Sequence, residues 1–392
     1  LISYNNNKLE NHAFSLVVGT ELSGSKSYNN YHRSPEFNDY YRFIAFPDFP
    51  SDDISYNDIK NSLSGLIGTA EAQDRSASFF GALTYTLCDK YVFNLNARFD
   101  GADIIGTDNR FTPLWSASFR WNAMRENFLK DVNFISDLAI RLSYGYTGNI
   151  DRSSYPIPMI FLSGYRYDEN FVAESVTFPN PNIKWERKQD RNFGLDFGFW
   201  DNRIGGSFNY YWNTGKDLLG TMTTPESYGR TSIKANVSSI ENTGWEFNVN
   251  LRLDLGANVR WINSFNIAQN TNKIKKTYLK DLNELNVMGG SDNIEGYASG
   301  SMFGYRFAGV NPLTGQAMIY LTDESRKILA DYRGVDISQV ADKIDTEEID
   351  YNIREELLRA SMEKLGSVTP KVTGGFSSTL TWKKLEVRAS FA

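Results

Sequence analysis

The chain has 392 residues, with 41 Lys plus Arg against 47 Asp plus Glu, a net charge of -6. No basic block occurs in it, which excludes the usual footprint of a nucleic-acid partner. One cysteine, Cys88, leaves no internal disulfide or multi-cysteine zinc site, and the two histidines, His12 and His32, come without a nucleophile motif or ligand-spaced carboxylates. The composition therefore points to neither an enzyme nor a cofactor.

Aromatics at 14% and 30 glycines tilt the chain toward β structure. No apolar run approaches the roughly 18 residues of a membrane helix, but that test is blind to strands, which need only about 9 to 11 residues with alternate ones apolar. In chain order, loose alternation appears in AFSLVVGTEL (13–22) and SFFGALTYTL (78–87). It becomes regular where Tyr91, Phe93, Leu95, Ala97 and Phe99 oppose Val92, Asn94, Asn96, Arg98 and Asp100. FTPLWSASFRW (111–121) follows, then Leu138, Ile140, Leu142, Tyr144 and Tyr146 opposing Ala139, Arg141, Ser143 and Gly145. The pattern returns in NFGLDFGFW (192–200), IGGSFNYYW (204–212), WEFNVNLRLDL (245–255), VRWINSFNI (259–267) and LEVRASF (385–391). Roughly ten to twelve strands are predicted.

Each such strand has an apolar and a polar face, which fits either a soluble sandwich or a membrane barrel with a wet lumen. The connections favour the barrel. LCDK (87–90), WDNR (200–203), LDLGAN (253–258) and WKK (382–384) are tight turns, whereas those at 24–70, 148–182, 216–236, 271–300 and 322–368 are long. Short and long ends segregate in outer-membrane barrels, and a sandwich has no reason to separate them. Tyr91, Trp121, Trp200, Trp212 and Trp261 near strand ends suit interfacial girdles. The reading is an all-β fold, part of a large transmembrane antiparallel β-barrel with long extracellular loops.

On this reading Arg98, Asp100, Arg141, Asp196, Glu246 and Arg252 face the lumen, as wall-stiffening charges or as contacts for a plug or cargo. Tyr28, Tyr31, Tyr40, Tyr41 and Phe43 fall in the long connection 24–70, and Tyr165 and Tyr167 in 148–182. Flat amphipathic rings there suit sugars or peptide side chains, and equally suit loop packing or a partner protein. Residues 345–366 are predicted helical, with Asp345 and Glu348 as a capping pair, Ile349, Ile353, Leu357 and Leu358 as the apolar stripe and Gly366 at the end. Strand parity permits 301–321 to be wall or loop. Acidic stretches such as Asp52 with Asp53 read as solvated faces.

NARFDGADIIGTDNRFTPLWSASFRW (96–121) resembles the SusC/RagA family of TonB-dependent outer-membrane transporters. The likeness continues through ISDLAIRLSYGYTGN (135–149), NPNIKWERKQDRNFGLDFGFWDNRIGGSFNYYWNTGKDLL (180–219), VSSIENTGWEFNVN (237–250), NIAQNTNKI (266–274), FGYRFAGVNPLTGQ (303–316) and TPKVTGGFSSTLTWKKLEVRASF (369–391). Departures from the family's pattern, at Ala102 and Asp103 and at Asn242 and Thr243, read from the sequence as loop and turn drift. The resemblance implies active import of glycan oligosaccharides or oligopeptides, without a cofactor, across the outer membrane of a Gram-negative, Bacteroidetes-type bacterium. It implies a SusD-like surface lipoprotein as lid, a dimer of such pairs, and drive from the TonB complex. Residues 1–392 would be a partial barrel, with the plug domain and TonB-contacting segment lying before residue 1 in relatives and C-terminal strands after Ala392. A passive porin and a soluble all-β carbohydrate-binding protein stay open as alternatives.

Overall fold

A computed structural model describes residues 1–9, 11–32, 37–38, 43–44, 67–103, 105, 109–150, 159–167, 170–177, 180, 182–225, 227, 232–256, 258–277, 288 and 293–392. For residues 7–9, 31–32, 37–38, 43–44, 67–70, 72, 159–167 and 170–177 it describes the backbone alone. Its strands are β1 (Ile2–Leu9), β2 (His12–His32), β3 (Phe37–Asn38), β4 (Phe43–Ile44), β5 (Ile67–Leu87), β6 (Tyr91–Ala102) and β7 (Phe111–Asn122). They continue as β8 (Ile135–Asn149), β9 (Met159–Tyr167), β10 (Asn170–Thr177), β11 (Glu186–Phe199), β12 (Ile204–Thr223), β13 (Ser232–Asp254) and β14 (Val259–Lys276). The remainder are β15 (Ser301–Gly304), β16 (Phe307–Val310), β17 (Ala317–Tyr320), β18 (Lys343–Asp345), β19 (Glu363–Ser367), β20 (Val372–Trp382) and β21 (Leu385–Phe391). Two helices, α1 (Asp323–Arg333) and α2 (Arg354–Ser361), lie between β17 and β19.

Twelve strands form one antiparallel sheet in the order β1-β2-β5-β6-β7-β8-β11-β12-β13-β14-β20-β21, within the number predicted. Every other strand sits in a separate small sheet inside a long connection. That decides 301–321, since β15, β16 and β17 pair with β19, with one another and with β18, never with the wall.

The register carries the two-faced pattern across all twelve strands, because directly opposed residues share a face. Reading across from β1, one row runs Tyr4, Leu16, Leu83, Leu95 and Ala117. Another, further along, runs Phe119, Leu142, Phe193, Tyr210 and Trp245. Lower rows pass through Phe208, Phe247 and Ile267, and through Val249, Phe265, Phe376 and Phe391. These side chains have no second layer to pack on: Leu95 is 53% exposed and Leu380 41%. An apolar surface this extensive and continuous is tolerated where lipid covers it. No helix among the described residues is long and apolar enough to cross a membrane.

At one end the sheet turns tightly. Cys88 and Asp89 (φ 51 and 55) and Trp200, Asp201 and Asn202 (φ 50, 53 and 57) take the left-handed backbone that matches the strands' right-handed twist. At the other end the strands overshoot the sequence reading. Residues 24–32 and 67–70 continue the β2–β5 ladder, and 216–223 and 232–236 continue β12–β13. Polar segments such as SGSKSYNN lack the apolar alternation that marks strands, yet residue-for-residue pairing satisfies their backbone groups well beyond the apolar band.

Residues 293–371 hold the larger of two buried apolar clusters among the described residues. Ile319, Leu329, Val340, Ile344, Ile349, Ile353, Leu357 and Leu358 cluster there, buried. The predicted helix over 345–366 is shorter than expected. Asp345 caps a 3-10 turn, Thr346–Glu348, by accepting from the Glu347 amide, α2 begins only at Arg354, and Gly366 lies in β19. The apolar stripe is buried as the spacing implied, although Ile349 and Ile353 reach the core from irregular backbone. α1 was not predicted. Thr322 caps it by accepting from the Ser325 amide, and Gly334 closes it in the left-handed conformation (φ 64).

Candidate functional site

The polar face of the wall is the candidate site. It is built by the residues that alternate with the apolar rows, so Arg98, Asp100, Arg141, Asp196, Glu246 and Arg252 all lie on it. They form three groups rather than one. Arg98 on β6 donates to Asp100 (2.5 Å), across to Glu21 on β2 (3.0 Å) and to the Ser78 hydroxyl on β5 (2.9 Å). One guanidinium thereby ties three strands, as a planar fork with several donors can.

The second group spans four strands. Asp196 on β11 accepts from Arg141 on β8 (2.7 Å) and Arg120 on β7 (3.2 Å). Arg141 also donates to Asn209 on β12 (3.1 Å), and Arg120 to Asn122 (2.7 Å). These groups are half exposed, so each ion pair is worth little by itself; together they link four neighbouring strands side chain to side chain. Glu246 lies beside this network, in a concavity of about 400 Å³ lined also by Arg141, Lys188, Asp190, Asn209 and Tyr211. Arg252 stands apart near a tight turn, with Asp254 (3.4 Å), which Arg260 also engages (3.0 Å).

Around these charges the face is lined with amides and hydroxyls. Asn94 links Thr84 (2.9 Å) to Ser118 (3.1 Å), and Asn96 donates to Ser116 (3.3 Å). Gly244 has a specific role here: a Cβ would meet the Tyr211 hydroxyl at 2.5 Å and the Gln269 carbonyl at 2.3 Å. Its absence lets the Tyr211 ring lie against the sheet and donate to Asn270 (3.1 Å). Such a surface offers many neutral and charged hydrogen-bonding groups to a hydrated polar solute. Among the described residues no cluster of His, Cys, Asp and Glu is arranged to hold a metal.

The aromatic candidates fare differently. Tyr28 sits in β2, not in a loop, on the face shared by Leu16, Val18 and Leu22; it is exposed, with the Lys26 ammonium 4.7 Å above its ring. Tyr40 and Tyr41 lie outside the described residues, as do the side chains of Tyr31, Phe43, Tyr165 and Tyr167. The backbones of Tyr165 and Tyr167 belong to the β9–β10 hairpin.

At the same end as the long connections, the Trp185-Glu186 pair anchors the wall. Trp185 is buried with Ala102, Ile105 and Ile183 and donates to the Arg110 carbonyl (3.3 Å). Glu186 accepts from the Leu219 amide (2.8 Å) and from Asn149 (2.9 Å). Sequence reasoning missed Arg120 and Asn209, although both sit in predicted strands at polar positions; strand pairing alone brings them to Asp196.

It also missed the charged knot at the tight-turn end, where Glu126 accepts from Lys90 (2.8 Å), Tyr91 (2.5 Å) and Trp121 (3.2 Å). Those hydrogen bonds, the Lys90 ammonium first, hold the Glu126 carboxyl down at about 2. Thirty-odd residues separate Glu126 from Lys90 and Tyr91, so no local spacing announces the contact.

Comparison with known proteins matches residues 2–342 to the family described as TonB dependent receptor-like, beta-barrel. TonB-dependent receptor P3 of Formosa agariphila is 30% identical over 367 residues, covering 89% of this chain and 35% of that protein. TonB-dependent receptor SusC of Bacteroides thetaiotaomicron is 35% identical over 207 residues, covering 51% of this chain and 21% of that one. The matched part is thus about a third or less of these relatives' length. A solved structure of the RagAB peptide transporter superposes with a TM-score of 0.78 at 24% identity, covering 99% of this chain and 40% of its own, and shows the same fold.

Proposed function

This chain belongs to the TonB dependent receptor-like β-barrel family, on its SusC/RagA branch, and from that premise we propose that it is wall and outer loops of an importer for oligopeptides or glycan oligosaccharides. One observation carries the proposal: a single register across twelve strands puts continuous apolar rows on one face and an amide, hydroxyl and charge lining on the other. The first face fits lipid and the second a hydrated passage.

The rest of the assembly follows from the same premise. The sheet does not close on itself, and its edge strands β1 and β21 carry exposed apolar side chains such as Ile2, Tyr4, Val387 and Phe391. An open edge in hydrocarbon costs several kcal/mol per unpaired backbone group, so we read both edges as pairing with further wall strands of the intact protein. A plug domain would sit against the polar face and meet the TonB complex. A SusD-like lipoprotein would cover the end with the long connections, in a dimer of such pairs, in the outer membrane of a Bacteroidetes-type bacterium.

Uptake by cells carrying the intact protein tests this, using labelled oligopeptides and labelled oligosaccharides with and without a protonophore. Protonophore-sensitive uptake of either class is the expected result and identifies the cargo. Uptake indifferent to the protonophore would make the protein a passive porin, and an intact protein that needs no detergent to stay in solution would overturn the membrane placement.

A further inference from the structure

The lipid-facing surface is not uniform. Across β6, β7, β8, β11 and β12 runs an open groove of about 520 Å³, walled by Phe93, Phe119, Leu142, Phe193, Tyr210 and Trp212. Phe93 and Phe119, 4.9 Å apart between ring centroids, stand toward the tight turns; Tyr210 and Trp212 stand toward the long connections. Almost the whole length is apolar, and only the upper end is charged.

Arg191 lines that end, its guanidinium 4.5 Å from the Trp212 ring centroid and one nitrogen donating to Gln189 (2.8 Å). Beyond Arg191 on the same face, Arg187 and Lys216 stand opposite each other in the ladder. Arg187 is engaged by Asp217 (2.7 Å), and Lys216 is exposed. The Tyr144 and Tyr146 hydroxyls, 3.0 Å apart and both hydrogen-bonded by Gln189, form the neighbouring rim.

A trough that is apolar along its length and cationic at one end matches an amphiphile with the opposite layout: acyl chains below, anion above. Arginine suits the anion, since its fork binds phosphate at two oxygens while its face stays on the tryptophan. The cationic end is the end of the long connections, which is the outer side if the chain is placed in the outer membrane as read above. We propose that this groove is a specific site for a phosphate-bearing, multiply acylated lipid of the outer leaflet, with Arg191 as its phosphate ligand and Lys216 as a second cation. The site rests on that membrane placement but not on import.

The test uses the intact protein in bilayers doped with lipid A, or with lipid A stripped of its phosphates, and counts retained lipid by native mass spectrometry after mild extraction. The wild type should retain phosphorylated lipid A. Arg191→Gln should lower retention about tenfold, the size of one charge-assisted hydrogen bond. Lys216→Gln should lower it less, and Lys384→Gln, in a tight turn at the opposite end, should leave it unchanged. The stripped lipid should bind wild type and Arg191→Gln equally weakly. Equal retention of phosphorylated lipid by wild type and Arg191→Gln overturns the site, as does equal loss in Lys384→Gln or wild-type retention of the stripped lipid as high as that of the phosphorylated one. If Arg191→Gln does not fold, Lys216→Gln decides alone, and unchanged retention there overturns the site. Phosphate-dependent retention by a protein that imports nothing would uphold the site and remove the importer reading.

Discussion

The wall and the outer unit at 293–371 solve the same problem with different solvents. Wall side chains such as Leu95 and Phe265 stay exposed because no protein layer covers them; the apolar medium that stabilises them is the bilayer. The outer unit, raised beyond that band, has to make its own dry interior. It does so from α1, α2 and three short strands packed around Leu357, which is fully buried. It is tied to the wall through the end of β14, where Ile274 donates to the Tyr297 carbonyl (2.8 Å) and the Ser299 amide to Asn272 (2.6 Å). Two folding rules thus coexist in one chain, and each region should respond to mutation by its own rule.

The largest effect is expected in the outer unit. Leu357→Ala removes a side chain with no exposed surface, which costs about 2 to 5 kcal/mol in soluble cores. Hydrogen exchange should show 293–371 opening while the wall ladder keeps its protection. Loss of protection in β11–β14 as well would mean that the two regions are one cooperative unit, and the contrast drawn here would fail.

Next comes the wall itself. Phe247 lies in the apolar row with Phe208 and Ile267, between the Tyr210–Trp245 row and the tight turns; Asn248 lies on the opposite face. Phe247→Arg should cost about 2 to 4 kcal/mol near the bilayer midplane. Asn248→Arg should cost little, because an arginine there meets a wet lining. Matching costs for the two variants in a liposome folding titration would refute the facing assigned to the sheet.

The contrast also explains what could be read from sequence. The wall band was legible because lipid on one side and water on the other impose a strict two-residue period, as in 91–100 and 245–255. Tight turns were legible from segments such as WDNR, whose Trp200, Asp201 and Asn202 take positive φ. Ladder beyond the membrane, as at 24–32, escaped because its two faces both meet water and no alternation is required. The outer unit was half legible. Its buried stripe at Ile349, Ile353, Leu357 and Leu358 could be found by spacing, but the same spacing overextended the helix, since Ile349 and Ile353 are placed by tertiary packing. In the candidate site the polar positions were visible strand by strand. Their grouping was not, because Arg120, Arg141, Asp196 and Asn209 meet only through the order of strands in the sheet.

The smallest effect lies at the tight-turn end, in the connection between β7 and β8, and it tests whether that end is fixed by charge rather than by lipid. Glu126 is held at about 2 against an ordinary 4.5, chiefly by the hydrogen bonds from Lys90 and Tyr91. A depressed carboxyl contributes stability that is fully present above its unfolded value and is lost as pH falls through the folded one. The turn should therefore hold its protection at neutral pH and lose it progressively between about 4.5 and about 2. Lys90, raised by the same partner, works in the opposite sense, so its share persists at neutral pH and fades only above the usual lysine value of 10.5. Glu126→Gln keeps the shape but removes the charge, so hydrogen exchange around 121–135 should become flat across the acid limb. If the variant and the wild type lose protection over the same pH range, Glu126 is not what fastens this turn.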